Sequence, residues 1–540
     1  MKKQLRIVIA QLNLIMGDIE GNLKKHIQAA TTARDELKAN IIIFPELSLT
    51  GYPVDDLLNR KSFLQESERA LHEFTATVKD IYCLVGHPYT SPEGLNNACS
   101  FIYNGKIIAT YAKQQLPNYG VFDERRYFVP GTLHAIVEVD EIPIGIVICE
   151  DLWLTGAVEQ AAQHGARIIL SPNASPFEIN KQERRAQMLA TRARDSKVPI
   201  FYANYISSQD EIIFDGGSMV VDETGKICQH AGFFKENLLS VDVTINENKI
   251  EIETRDFVLP TTEEKIYDCL IFGVRNYLKK NKFVHTLLGL SGGIDSALTL
   301  AIAVDAIGKD NVTAVIMPSR YTSDISMQDA IEIADNFGVK YEIISIEPTF
   351  SSFLTTLHPM FENTKTDLTE ENLQARCRGM ILMALSNKFG GIVLTTSNRS
   401  EMAVGYATLY GDMAGGLAVL KDIPKTLVYQ LAHYRNKISS VIPQRIIDRA
   451  PTAELAFDQK DEDSLPPYSI LDKILELYIN AEQGLEEIVA QGFKRDDVTK
   501  IIKLVIRNEY KRRQSPVGIR INHKDFGRDR RYPITTMFEK

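Results

Sequence analysis

"LLGLSGGIDSALTLAIAV", residues 287–304, joins two apolar runs through a short loop of serine, glycine and aspartate. The first run, which begins with FVHTLLGL (283–290), reads as a buried strand, and the second, from about 296, as a helix. Ser291, Gly292, Gly293, Ile294, Asp295 and Ser296 form the junction. Glycines there let backbone N–H groups approach an anion, the new helix adds its positive end, and Ser291 and Ser296 add hydroxyls. The loop therefore reads as a cradle for phosphates. It matches neither G-x-x-x-x-G-K-[ST] nor G-x-G-x-x-G, which excludes a Walker A loop and counts against a dinucleotide-redox fingerprint. A helix around 263–281 precedes the strand, and VTAVIMP (312–318), a helix near 324–337 and KYEIISI (340–346) follow it. That alternation predicts a doubly wound parallel α/β sheet.

Upstream the pattern differs. LRIVIAQL (5–12), a helical stretch over 21–40 and NIIIFPEL (40–47) open with β-α-β. IYCLVGHP (81–88) follows, and SFIYNGKIIATY (100–111) reads as a hairpin turning at Asn104-Gly105. IPIGIVIC (142–149), ARIILSP (166–172), VPIFYAN (198–204) and SMVVDETGKIC (218–228) add strands to an α/β sandwich covered by helices. The polar stretch LPTTEEK (259–265) separates the halves, so the expected division is 1–245, a linker over 246–262, and 263–540. AFDQKDEDSLPPYS (456–469) reads as a mobile loop.

A length of 540 residues suits two or more domains, and 44% hydrophobic with 24% charged residues is ordinary for a soluble globular protein. A net charge of -9 offers no basic footprint, so nucleic acid is not an expected partner. The six cysteines are scattered without a CxxC pair. This argues against a disulfide framework or structural zinc and for a reducing cytoplasm. The N-terminus runs into a strand without a signal-peptide pattern, and no apolar run reaches membrane-spanning length.

In VICEDLW (147–153) a cysteine stands directly before two carboxylates and near the only tryptophan. Neighbouring negative charge opposes a thiolate, so a nucleophilic Cys149 needs a base and a cation from elsewhere. Glu46, at the end of NIIIF, and Lys113, after KIIATY, are placed like Cys149 at the ends of strands, where active sites collect. A glutamate can take the thiol proton, and a lysine can offset charge and stabilise an oxyanion. On this reading Glu150 contributes its main-chain N–H, and its side chain points elsewhere.

These three residues resemble the Glu-Lys-Cys triad of the nitrilase, or carbon–nitrogen hydrolase, superfamily, over roughly the first 240 residues. The resemblance implies an α-β-β-α sandwich, attack of Cys149 on an amide, release of ammonia and hydrolysis of a thioester. It also implies Glu124, in VFDE, as an additional active-site glutamate, and Tyr119, Ser175 and Lys181 as glutamine contacts. SGGIDS resembles the pyrophosphate loop of the ATP pyrophosphatases, a doubly wound fold of the adenine nucleotide alpha hydrolase kind. "MPSRYTSDISMQDA" (317–330), "NLQARCRGMILMALSN" (372–387), "TTSNRSEMAVGYATLYGD" (395–412), "LKDIPKTLVYQLA" (420–432), "PTAEL" (451–455) and "EYKRRQSP" (509–516) resemble NAD synthetase motifs in order. That resemblance implies ATP contacts from Ser291, Gly292, Gly293, Asp295, Ser296, Met317, Arg320 and Thr396. It further implies magnesium ligands in Glu401 and Asp295, and deamido-NAD+ contacts in Asp412, Lys425 and Lys511, the last meeting phosphate as a loop closes. Ser397-Asn398 departs from the Asp-His pair of short ammonia-dependent members, and no role carries over there.

Taken together, the chain resembles the glutamine-dependent NAD+ synthetases across nearly all its length. The implied reaction joins deamido-NAD+, ATP, L-glutamine and water to give NAD+, AMP, pyrophosphate and L-glutamate, with Mg2+ as cofactor. A homo-oligomer, a dimer or larger, is implied as well. The halves explain each other: free ammonia is mostly ammonium at neutral pH, so a local glutaminase supplies the nucleophile, and a passage between the sites is expected. Two alternatives stand beside this reading. One is a glutamine-dependent amidotransferase of the same class acting on another acid, which the motifs after SGGIDS disfavour. The other is a catalytically silent glutamine or nucleotide sensor, which the intact Glu46, Lys113, Cys149, Asp295 and Ser296 disfavour.

Overall fold

The computed structural model describes residues 2–247, 249–451, 454–456 and 465–538. Residues 452–453 of PTAEL and 457–464 of the segment expected as a mobile loop lie outside the described residues. The chain forms two compact units, Met1–Pro260 and Thr261–Lys540.

The first unit holds two large sheets. In the seven-stranded one the order is Ile250–Ile252, Asn237–Ile245, Lys3–Gln11, Ile41–Ile43, Tyr82–Ser91, Gly94–Tyr103 and Lys106–Ala112. In the six-stranded one it is Ile227–His230, Met219–Val221, Ile200–Asn204, Ile168–Asn173, Ile142–Ile146 and Ala135–Val139. The pleat sorts side chains into layers, because successive residues face opposite sides of a strand. Ile7 and Ile9 meet Ile144, Ile168, Leu170 and Phe201 between the sheets. Val8 and Ala10, one residue out of phase, pack with Leu23, Ala30, Leu71 and Phe74 of helices Ile19–Asp35 and Lys61–Thr77. Ile169 likewise turns away from the central layer, toward Leu189 and Ala193 of helix Lys181–Ser196. The result is an α-β-β-α sandwich whose apolar strands are covered on both faces. Truncating Ile7 to alanine at its centre costs about 2–5 kcal/mol.

The hairpin read at Asn104-Gly105 is present, with φ of 46° and 84° at the two turn residues, as a two-residue turn with positive φ at both positions requires. The segment read as a linker contributes strand Ile250–Ile252, paired with Asn237–Ile245, before helix Thr262–Lys280 begins. Thr261 caps that helix by accepting Glu264 N–H at 3.2 Å.

The second unit is built on five parallel strands in the order Lys340–Ile343, Val312–Ile316, Thr286–Gly289, Ile392–Thr395 and Leu417–Ala418. The chain winds one way from Thr286–Gly289 and resumes on its other side at Ile392–Thr395. This is the switch point at which open α/β sheets bind ligands. KYEIISI was read as a strand over 340–346, but only Lys340–Ile343 pairs, at an edge where its side chains are mostly exposed. Two helices join the alternation, Glu347–Phe361 and Leu368–Phe389. A capping box starts the second: Asp367 Oδ1 accepts Thr369 N–H at 2.7 Å, and Glu370 Oε2 accepts Asp367 N–H at 2.8 Å.

Candidate active sites

Three strand ends of the first unit converge on one buried cluster. Strand Ile41–Ile43 runs into the turn that carries Glu46, and Gly86 of the adjacent strand makes room for it. A Cβ at Gly86 would stand 2.5 Å from Leu47 N and 2.6 Å from Pro45 O. Lys113 follows strand Lys106–Ala112 directly. The strand expected over 142–149 pairs only through Ile146, and the chain then turns so sharply that Cys149 takes φ 46° and ψ -93° ahead of helix Glu150–Trp153. A non-glycine residue in such a conformation is strained, and strain of this kind clusters at functional sites.

Lys113 Nζ donates to Glu46 Oε1 at 2.6 Å and to Glu124 Oε1 at 2.8 Å. Asn97 Nδ2 donates to Glu46 Oε1 at 2.7 Å, Ala174 N–H to Glu46 Oε2 at 2.9 Å, and Tyr52 hydroxyl to Glu124 Oε1 at 2.8 Å. Burial works against the Lys113 charge, but Glu124 and Glu46 hold its pKa well above the ordinary lysine value. Burial, opposed by Lys113 and reinforced by Glu46, lifts Glu124 to about 7. The Cys149 thiol is pushed well up by burial and by Glu46, while Lys113 and the Ala174 N–H favour its thiolate. The structure thus brings to the thiol a cation, Lys113, and a second carboxylate, Glu46, from distant segments.

Glu150 corrects one expectation. Its side chain does not turn away but is buried, and both carboxylate oxygens accept the Tyr119 hydroxyl at 3.0 Å. Helix Glu150–Trp153 is a single short turn packed into the unit, and Glu150, Asp151 and Leu152 are all buried in it. Lys181 Nζ lies 4.6 Å from the Trp153 ring centre and 3.4 Å from Glu178 Oε1. Ser175 sits beneath, its hydroxyl accepting Arg185 Nε–H at 3.1 Å.

The second unit holds a cavity of about 440 Å3 at the switch point. The Ser291–Ser296 loop forms its floor, braced by Ser291 Oγ to Ser296 Oγ at 3.1 Å and Gly293 N–H to Ser291 Oγ at 3.2 Å. Gly292, at φ 82°, lies so close to helix Asp324–Phe337 that a Cβ would stand 2.3 Å from Ser326 O. Met317, Thr396, Glu401, Asp412, Lys425 and Lys511 line the walls. Lys425 Nζ donates to Asp295 Oδ2 at 2.5 Å and to Glu401 Oε1 at 3.2 Å, and these two carboxylates hold its pKa above the ordinary value against burial. Burial lifts Asp412 to about 6, against Thr408 N–H and the Lys511 charge. Lys511 itself is turned onto Gly405 O and Ala407 O, at 2.8 and 2.9 Å. Arg320 is not among the lining residues and is paired with Glu347 over the Phe350 ring.

Both halves match family models, residues 6–248 the carbon–nitrogen hydrolases and residues 266–515 the NAD synthases. Over 535 residues, and 98% of each chain, the protein is 46% identical to a glutamine-dependent NAD(+) synthetase of Acinetobacter baylyi. The chain belongs to the glutamine-dependent NAD(+) synthetases. One from Xanthomonas campestris is 47% identical over 98% of this chain and 97% of that one. The structure of the Acinetobacter baumannii synthetase in complex with ADP superposes with a TM-score of 0.81 at 44% identity, covering 98% of both chains. The protein is accordingly a ligase that forms a carbon–nitrogen bond with glutamine as amido donor, in a family that uses ATP as co-substrate.

Several groups of the synthetase received no role from the sequence, although Glu454 and Arg378 stand in the PTAEL and NLQARCRGMILMALSN stretches. Asn97 and the Ala174 N–H hold Glu46 from 51 and 128 residues away. Near the Ser291–Ser296 loop, Glu454 Oε1 accepts Ser323 Oγ–H and Ser326 Oγ–H at 2.8 Å and Arg449 Nη2–H at 2.6 Å. Arg378 reaches the cavity from helix Leu368–Phe389, pulled down to about 10 by burial. Among the described residues no group of three or more metal-ligating side chains stands together. Asp295 and Glu401 nevertheless share one wall through Lys425, and one or two carboxylates completed by substrate phosphates are a donor set that suits Mg2+.

Proposed function

We propose that the first unit is the glutaminase and the second the synthetase, with the division near Pro260. Lys181 and Tyr119 grip glutamine at its charged end and Ser175 supports it, while Glu124 orients the side-chain amide. Glu46 takes the Cys149 proton as sulfur attacks the amide carbon. Lys113 and the Glu150 main-chain N–H take up the oxyanion. Glu46 returns the proton to the leaving ammonia, and then activates the water that frees glutamate from the thioester.

In the second unit the Ser291–Ser296 loop, with Met317 and Thr396, binds ATP, and Asp412, Lys425 and Lys511 bind deamido-NAD+. The loop N–H groups hold the phosphates while the nicotinate carboxylate attacks the α-phosphorus and pyrophosphate departs. Ammonia then displaces AMP from the acyl adenylate. Asp295 and Glu401 would hold Mg2+, which when bound neutralises phosphate charge.

Two copies of the chain associate through helices Glu347–Phe361 and Leu368–Phe389, whose Met360, Met380 and Phe389 are 80%, 70% and 74% exposed. Six free, buried cysteines suit a reducing cytoplasm, and among the described residues no helix is long and apolar enough to cross a membrane.

One observation carries the reading: the thiol with its Glu46–Lys113 pair lies wholly in one unit, and the glycine loop with Asp295, Glu401 and Lys425 wholly in the other. Assayed with ATP, deamido-NAD+ and glutamine, the enzyme forms AMP, pyrophosphate and NAD+ in equal amounts. ADP and phosphate as products would overturn the adenylation.

A further inference from the structure

The second acid beside the nucleophile has a different place from the first. Asp151 is fully buried, and its two oxygens accept four hydrogen bonds. Oδ1 accepts Gln114 N–H at 3.2 Å and Gln115 N–H at 2.8 Å. Oδ2 accepts the Tyr111 hydroxyl at 2.7 Å and Ile148 N–H at 3.0 Å. Three of these donors flank Lys113 in sequence, and the fourth is the residue just before Cys149. Two segments that share no strand pairing are thereby tied to one carboxylate, each next to its reactive residue. All four bonds run toward the carboxylate, so the clamp is complete only in the ionised form. Burial pushes the group up to about 6, while the Ile148, Tyr111 and Gln115 donors pull it down.

We propose that Asp151 is the positioning residue of the glutaminase site: it fixes the strained Cys149 turn against the Lys113 segment, so that the ammonium and the thiol are held at a set separation. This rests on the catalytic reading of Cys149 and Lys113. The acid that looks hostile to a thiolate in the sequence is spent on main-chain N–H groups, and its charge is already balanced by them. Asparagine keeps the shape but replaces one acceptor oxygen by a donor. The Tyr111 hydroxyl can rotate to accept from that amide; Ile148 N–H cannot, so the tie to the Cys149 turn is lost first.

The test compares full-length wild type, Asp151→Asn and Tyr111→Phe, each checked for folding by circular dichroism. Glutamate release, ammonia-dependent NAD+ formation and the pH profile of Cys149 alkylation by iodoacetamide are measured. Asp151→Asn lowers kcat for glutamine by about 10²-fold, the cost of misplacing reacting groups by about 1 Å, with KM within about threefold. Its alkylation midpoint moves to higher pH, because the ammonium no longer stands at its place beside the sulfur. Tyr111→Phe, which removes one of the four bonds and keeps the ring, shows the same changes at about threefold to tenfold in kcat. Ammonia-dependent synthesis stays at the wild-type rate in both. Unchanged kcat and alkylation in a folded Asp151→Asn overturns the proposal. So does equal loss of the ammonia-dependent reaction, which marks a role in the fold alone. If Asp151→Asn does not fold, Tyr111→Phe decides by the same two readouts. Alkylation of Cys149→Ala at the same rate as wild type would instead locate the fault in the reading of Cys149.

Discussion

Lys113 Nζ stands 2.6 Å from Glu46 Oε1, and both side chains are closed off from solvent. Removing Lys113 leaves the buried Glu46 and Glu124 without their shared cation, whereas removing Glu46 leaves Lys113 with Glu124 at 2.8 Å. Glu46→Gln and Lys113→Met each lower glutaminase activity by at least ~10²-fold, and Lys113→Met also destabilises the first unit, by about 3–5 kcal/mol. Glutamate release and thermal unfolding measure the two effects. Near-normal activity in either variant would remove that residue from the machinery.

Glu124 titrates at about 7 against an ordinary 4.5, so the folded chain holds this proton more tightly than the unfolded chain. The stability it contributes is present in full below 4.5 and is lost as pH rises through about 7. Glutamine at this position mimics the protonated acid. The melting temperature of Glu124→Gln minus that of wild type thus increases between pH 5.5 and pH 8.5. A gap that is constant or shrinks with pH contradicts the assignment.

Trp153 is the only tryptophan in the chain, and its ring faces the Lys181 ammonium at 4.6 Å. Glutamine bound to Cys149→Ala changes the intrinsic fluorescence, which gives Kd directly. Losing the ring in Trp153→Leu removes a cation–π contact of about 0.5–2 kcal/mol, so glutamine KM increases about 2-fold to 30-fold with little change in kcat. A loss confined to kcat would place Trp153 elsewhere in the cycle.

Gly292→Ala drives a Cβ to 2.3 Å from Ser326 O in a backbone conformation that suits only glycine. NAD+ formation fails with glutamine and with ammonium chloride alike, while glutamate release from glutamine persists. A variant that makes NAD+ from ammonium at the wild-type rate would show that the loop is not the phosphate cradle.

Much of this was legible in the sequence for a physical reason. The glycine loop at 291–296 and the residues at 46, 113 and 149 all follow apolar strands, where chain direction alone fixes the end at which a site forms. LRIVIAQL reads only as a buried strand, since Ile7 and Val8 are both apolar; that Ile7 faces the second sheet and Val8 the helices is seen in the structure. Contacts made by backbone amides or across great sequence separation carried no such mark. The Ala174 N–H on Glu46 is one, and the Glu454 carboxylate among Ser323, Ser326 and Arg449 is another. Glu150 and Asp151 could not be told apart as neighbours of Cys149, because which way each side chain leaves a one-turn helix depends on what packs around it. Arg320 matches a motif yet is paired with Glu347, away from the cavity wall.

Cys149→Ala measures the central claim most directly, because it removes one sulfur from the first unit and touches nothing in the second. NAD+ formation is followed with glutamine and, separately, with saturating ammonium chloride. Glutamine-dependent synthesis is abolished while ammonia-dependent synthesis continues near the wild-type rate. Equal loss with both nitrogen donors would contradict the account, and would make Cys149 a structural thiol.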